Sequence, residues 1–308
     1  MMARMRCDGN RVRFGIDLGG TKTELIALDD VGSELLRFRR STPAGDYRAS
    51  LQLISEMVQK AETKLGCTAT VGIGTPGAVS RSSGLMKNCN STWLNGRPFR
   101  EEIETLLQRQ IRTSNDANCF AMSEAVDGAG AEAKTVFGII VGTGTGAGIV
   151  IDGHILEGVN GIAGEWGHNP LPWPTDDERP GPACYCGRNG CIETWLSGPG
   201  MAADHQQHTG HTLTAEEIAA GATQGHTDCM QTMSRYTHRL ARGLAHVINI
   251  LDPDVIVLGG GMSNIASFYE AVPALWHEFI FSDTIETQLR PPAHGDSSGV
   301  RGAAWLWE

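Results

Sequence analysis

Val12-Arg13-Phe14-Gly15-Ile16-Asp17-Leu18-Gly19-Gly20-Thr21-Lys22-Thr23-Glu24-Leu25-Ile26-Ala27-Leu28 sets the architecture of this chain. Val12 to Asp17 reads as a short apolar strand, Gly19 to Lys22 as a bend, and Glu24 to Leu28 as the returning strand. Asp29-Asp30-Val31-Gly32 then carries a turn signal. The glycines lie inside a hairpin, whereas a Walker loop needs its glycines and lysine to open a helix. Backbone N–H groups in such a bend can approach phosphate oxygens closely, although a plain tight turn would use the same residues.

The unit recurs. Thr135 to Val141 is a strand, Gly142-Thr143-Gly144-Thr145-Gly146-Ala147-Gly148 a bend, Ile149-Val150-Ile151 the return and Asp152-Gly153 the turn. With Gly19 placed against Gly144, the two copies predict two similar α/β halves. A ligand between them would meet one glycine bend from each.

Other elements fill in around these hairpins. Leu51, Ile54, Met57, Val58 and Ala61 give helical spacing from Tyr47 to Leu65, closed by Gly66. Strands are expected at Glu34 to Arg40, Thr70 to Gly74, Gln110 to Ser114 and Val255 to Leu258. Helices are expected at Pro98 to Gln110, Cys119 to Asp127 and Met230 to Leu251, with another opened by Gly259-Gly260-Gly261. Asp116 sits where a strand ends and a helix begins. That is a place for a catalytic acid in an α/β sheet and equally for a helix cap.

His168, Cys184, Cys186 and Cys191 fall at H-x15-C-x-C-x4-C, with Glu165 and Glu193 alongside. Imidazole and thiolate are the usual ligands of tetrahedral zinc, and a closed set of four marks a structural site. The stretches Leu171-Pro172-Trp173-Pro174 and Arg179-Pro180-Gly181-Pro182 are too proline-rich for regular structure, and a metal would order such a loop.

The 308 residues carry a net charge of −10, with 41% hydrophobic and 19% charged residues. This balance describes a globular protein and argues against nucleic-acid binding through phosphate contacts. No stretch approaches the ~20 apolar residues of a membrane span. A cytoplasmic location with reduced thiols is expected, so Cys7, Cys67, Cys89, Cys119 and Cys229 read as unpaired small apolar residues. Residues 1–10 read as a frayed extension or an upstream start.

Asp17-Leu18-Gly19-Gly20-Thr21-Lys22, Asn115-Asp116-Ala117-Asn118, Gly142-Thr143-Gly144, Gly164-Glu165-x-Gly167-His168 and C-x-C-G-x-x-G-C-x-E together resemble the ROK family of sugar kinases. The resemblance runs from about Arg13 to the last helix. It implies an α/β fold of the actin/hexokinase (ribonuclease H-like) kind, duplicated into two domains with a central cleft and a zinc-ordered loop. The smaller domain is expected at residues 11–117 plus 293–308, and the larger, carrying the zinc site, at 118–292.

The resemblance also implies roles. Asp17 holds the Mg²⁺ of ATP, Gly19, Gly20, Thr21 and Lys22 form the first phosphate bend, and Gly142, Thr143 and Gly144 form the second. Gly259, Gly260 and Gly261 lie on the adenosine side. Asp116 is the general base toward a sugar 6-hydroxyl. Asn90, Asn115, Glu165, His168 and Glu193 bind sugar hydroxyls, with one nitrogen of His168 on zinc and the other facing the sugar. Family repressors add an N-terminal helix-turn-helix, for which about a dozen residues before the first strand are too few. Within the family the Trp93 loop and Trp166 look most like a fructokinase of the manno-fructokinase type, phosphorylating D-fructose and also mannose or glucose. An N-acetylglucosamine kinase is the alternative. A hexose and ATP are the expected partners, and a homodimer the expected assembly.

Overall fold

The computed structural model describes the side chains of residues 11–295 and 298–307, and the backbone also at 6, 7 and 10. Of the expected N-terminal extension, residues 1–5, 8 and 9 lie outside the described residues, as does the side chain of Cys7. Arg6–Cys7 pairs with Asn10–Arg11 in a short antiparallel ladder.

Two five-stranded sheets share one topology. The first is built from β1 (Arg13–Leu18), β2 (Lys22–Leu28), β3 (Glu34–Ser41), β4 (Thr70–Thr75) and β5 (Ile111–Asn115), in the order β3-β2-β1-β4-β5. The second uses β6 (Thr135–Val141), β7 (Thr145–Ile151), β8 (His154–Ile155), β9 (Val255–Gly259) and β10 (Gln288–Arg290), in the order β8-β7-β6-β9-β10. In each, a hairpin supplies the antiparallel side and crossovers add two parallel strands. The first ladder closes on Leu18↔Thr23 and the second on Val141↔Thr145, so the second bend is one residue shorter.

Helix α1 (Tyr47–Leu65) ends at Gly66 in the left-handed conformation, φ 67°, and packs Leu51, Ile54, Met57 and Val58 against the first sheet together with α2 (Phe99–Leu107). On the second sheet lie α4 (Ile192–Leu196), α5 (Gly198–Thr209), α6 (Ala215–Thr223), α7 (Thr227–Leu251) and α8 (Phe268–Ala274). The core there includes Trp166, Leu196, Tyr236, Leu244 and Trp276.

Between the sheets run α3 (Asp116–Val126) and α9 (Ser298–Trp305). A Cβ at Gly15 would sit 2.0 Å from the Val300 carbonyl oxygen, and one at Gly72 1.8 Å from that of Ala303, so α9 lies on the first sheet at backbone distance. Gly302 meets the Cys119 carbonyl in the same way, joining α9 to α3.

Three expectations change. Cys67 is disulfide-bonded, whereas Cys89, Cys119 and Cys229 are free and buried. The Gly66 cap turns Cys67 out to a half-buried position, and nothing in the neighbouring sequence marks a pair. The helix expected after Gly259-Gly260-Gly261 is a 3-10 turn, Gly261–Asn264, in which Ser263 and Asn264 side chains bond back to the Gly260 and Gly261 carbonyls. Such local bonds compete with helix propagation. Helix α3 starts at Asp116 rather than Cys119, because Asn115 Oδ1 caps the Asn118 N–H at 2.8 Å. No helix among the described residues is long and apolar enough to cross a membrane.

Candidate active site

A cleft of about 620 Å³ opens where the two halves meet, lined by Gly77, Lys87 and Asn90 from one side and Thr145, Ile162 and Tyr185 from the other. It brings together Asn90, Asn115, Asp116, Gly142, Thr143, Gly144, Glu165, His168 and Glu193. Asp17, Gly19, Gly20, Thr21, Lys22, Gly259, Gly260 and Gly261 are not in its lining. They adjoin it: Asp17 acts electrostatically on Asp116, and a Cβ on Gly142 would lie 4.0 Å from Gly261 N.

Asp116 is the first residue of α3, one past the cap, so the cap reading goes to Asn115 and leaves the Asp116 carboxylate free for the cleft. Its Oδ1 accepts the Ala117 N–H at 2.8 Å. Although water reaches it through the open cleft, the carboxyl lies deep among protein atoms. That burial raises its pKa, the Ala117 bond opposes the shift, and nearby Glu165 adds to it. Asp17 is pushed up to about 6, by burial first and then by Asp116 and Glu24. Two acids held above their ordinary range at a strand end are groups poised to exchange a proton or neutralise a cation.

Gly164 and Glu165 lead into a 3-10 turn, Trp166–His168, laid flat on β7. A Cβ at Gly164 would meet the Ala147 carbonyl at 2.3 Å, and one at Gly167 the Thr145 carbonyl at 2.2 Å. Trp166 plugs the core, edge-on to Phe137, with its indole N–H on the Gly243 carbonyl. With the glycines down and the tryptophan in, Glu165 and His168 are left for the cleft.

Cys184 and Cys186 lie on a tight loop closed by the Ala183↔Asn189 bridge, and Cys191 caps α4. The donor atoms of His168, Cys184, Cys186 and Cys191 all lie within 4.8 Å of one another. His168 Nδ1 is 3.6 Å from Cys184 Sγ, and Cys186 Sγ is 3.6 Å from Cys191 Sγ. Zn–S bonds of about 2.3 Å in a tetrahedron place ligands about 3.7 Å apart, so the set fits zinc. The α4 turn then carries Glu193 back to the second bend, where its Oε2 accepts the Thr145 N–H at 2.8 Å.

His168 Nε2 faces the Tyr185 hydroxyl at 2.9 Å, on the side expected to face the sugar. Sequence reasoning passed over Tyr185, whose only signal was its place between two ligand cysteines. It also missed what orders the proline-rich loop. Thr175 and Glu178 form a capping box, and the buried Glu178 takes hydrogen bonds from Arg239 and Arg242 of α7 at 2.7–2.9 Å. Burial opposes ionisation of Glu178, but the two guanidiniums outweigh it and hold the carboxyl down to about 2.

The ROK family profile matches residues 13–308. Over 297 residues the chain is 37% identical to an N-acetyl-D-glucosamine kinase of Photobacterium profundum, covering 95% of this chain and 98% of that one. An N-acetyl-D-glucosamine kinase of Vibrio cholerae is 36% identical over the same coverage. Among solved structures, a ROK hexokinase from Thermus thermophilus aligns with TM-score 0.85 at 28% identity, over 96% of this chain and 97% of that one. These relatives overturn the fructose expectation. It rested on the Trp93 loop and Trp166, and both tryptophans pack against the cores instead of lining the cleft. Their likeness to fructokinases carried no information about the sugar.

Proposed function

The chain belongs to the ROK family, and from that premise we propose that it is an ATP-dependent sugar kinase that phosphorylates N-acetyl-D-glucosamine at its 6-hydroxyl. The observation carrying the reaction is Asp116, a carboxylate at the strand end with one oxygen on the Ala117 N–H and the other open, in one cleft with Asn115, Glu165, His168 and Glu193. The names of the relatives carry the choice of sugar.

Asp116 accepts the 6-hydroxyl proton as that oxygen forms a bond to the γ-phosphorus, and the bond to the ADP oxygen breaks. Its raised pKa makes it a better base near neutrality than an ordinary aspartate. Asn90, Asn115, Glu165 and Glu193 take the sugar hydroxyls, with His168 reaching the cleft through the Tyr185 hydroxyl, and charged acceptors make those bonds strong and selective. The bends Gly19 to Lys22 and Gly142 to Gly144 take the phosphates, the Gly19 and Gly142 N–H groups closing each bend, with Gly259 to Gly261 toward the adenosine. Phosphoryl transfer depends chiefly on such positioning and neutralisation. Asp17 would hold Mg²⁺, which neutralises phosphate charge when bound. Zinc on His168, Cys184, Cys186 and Cys191 would be structural, since four protein ligands leave no open position. We place the domain boundary at 117/118 with residues 293–308 returning to the first half, and a homodimer as the assembly.

The test is a coupled ADP-release assay over a panel of hexoses and N-acetylhexosamines. N-acetylglucosamine should give the highest kcat/KM, and absence of sugar-dependent ADP release would end the kinase reading.

A further inference from the structure

We propose that Tyr185 determines specificity at this site by donating a hydrogen bond from its hydroxyl to the acetamide carbonyl of the sugar. The inference rests on the N-acetylhexosamine reading above. Tyr185 lines the cleft and is 82% exposed, an unusual state for so large an aromatic side chain. Its ring stands edge-on to the His168 imidazole, with centroids 5.1 Å apart. The hydroxyl lies 2.9 Å from His168 Nε2, and no second hydrogen-bond partner is found for it among the described residues.

The donor set fixes the direction of that bond. His168 turns Nδ1 to the cysteines, 3.6 Å from Cys184 Sγ. An imidazole that ligates a metal through Nδ1 carries its proton on Nε2, and that nitrogen can only donate. The Tyr185 oxygen therefore accepts from His168, and its own O–H is left to donate into the cleft. Accepting one bond also polarises the phenol toward giving the next.

A group with only a proton to offer matches a ligand atom with only lone pairs to offer. A sugar hydroxyl is both donor and acceptor, and its proton is already provided for by Glu165 and Glu193. An amide carbonyl oxygen is an acceptor only. The adjoining methyl needs apolar surface, which the uncovered Tyr185 ring and the cleft residue Ile162, 52% exposed, supply. An unsubstituted hexose presents neither group at that carbon.

The experiment compares wild type with Tyr185→Phe, using N-acetylglucosamine and glucose as probes. Kd would be measured by calorimetry without nucleotide, and kcat and KM by ADP release. Affinity and kcat/KM for N-acetylglucosamine should fall roughly tenfold through KM, while glucose binding, kcat and KM for ATP stay within about twofold. Tyr185→Leu, which also removes the ring, should lose further affinity for N-acetylglucosamine alone. Zinc content should remain about one equivalent per chain in all three proteins. Equal losses on both sugars would overturn the inference by reducing Tyr185 to a support for His168, and so would unchanged discrimination. Wild type that ignores N-acetylglucosamine would overturn the underlying reading as well.

Discussion

The two glycine bends occupy the same place in two sheets of the same topology, yet they are anchored differently. In the first, the Gly19 N–H reaches the Lys22 carbonyl at 3.0 Å, and the Gly19 carbonyl accepts the Thr42 hydroxyl from the neighbouring β3 edge. Both partners come from the hairpin itself and the strand beside it. In the second, the Gly142 N–H reaches the Gly144 carbonyl at 3.0 Å, and the Gly142 carbonyl accepts the Gly198 N–H at the start of α5. Glu193 lies directly beneath it, and Glu193 belongs to the helix that starts at Cys191 of the His/Cys cluster. The repeated element thus keeps its place in the sheet while its second copy is tied to Glu193, part of the proposed sugar-binding wall with Glu165.

The largest expected effect separates both bends from the chemistry between them. Asp116→Asn should lower kcat roughly 10²- to 10⁴-fold while KM for sugar and for ATP move little. A collapse of sugar affinity with near-normal turnover would assign Asp116 to the wall instead. Next comes the support behind the wall, where both arginines are buried, whereas the Arg37 and Arg39 that hold Glu24 beside the first bend reach solvent. Glu178→Ala leaves Arg239 and Arg242 buried without their carboxylate and should cost about 3 kcal/mol or more of stability, read by urea unfolding.

Smaller effects divide the two bends. Glu193→Gln should raise sugar KM roughly tenfold, with ATP KM changing less. The glycines sharpen this. A Cβ at Gly144 would lie 2.8 Å from Glu193 Oε2, and one at Gly19 2.7 Å from the Lys22 carbonyl oxygen. Gly144→Ala should therefore weaken both substrates and Gly19→Ala only ATP; identical profiles would mean that the second bend is no more tied to the sugar than the first.

The smallest expected effect is a pH dependence with two opposite signs. Asp17 is raised from 3.8 to about 6, so it takes up a proton as pH falls through 6, and turnover should fall with it. A carboxyl raised by burial favours the folded state when protonated, so its stabilising contribution is present below 3.8 and lost as pH rises through 6. Glu178 runs the other way. Lowered from 4.5 to about 2, it stabilises above 4.5 and loses that contribution as pH falls toward 2. Activity loss near pH 6 should precede unfolding, and coincident curves would contradict this assignment.

The hairpins, the repeat and the His/Cys cluster were legible because each is written in a few nearby residues whose chemistry is local. Asp116 was legible as a position but not as a role. Only the capping bond of Asn115 shows that Asp116 is not the cap. Glu178 and its arginines were not legible, because ion pairs between residues about sixty apart leave no local pattern. The sugar was misjudged for a related reason. Trp93 and Trp166 are conspicuous letters, but a letter does not say whether it faces a cleft or a core. Tyr185 was in plain view, and its meaning came only with the nitrogen it faces.

The contacts at Gly302, Gly15 and Gly72 have a mechanical consequence. At these three glycines α9 touches β1, β4 and α3 main chain to main chain, while Ile26, Phe120, Met122, Val300 and Trp305 interlock around the contacts and Ser298 bonds Glu124 across them. A seat this close has no slack: a methyl at Gly302 would act as a wedge, prising α9 from α3 and loosening the junction of both sheets at once.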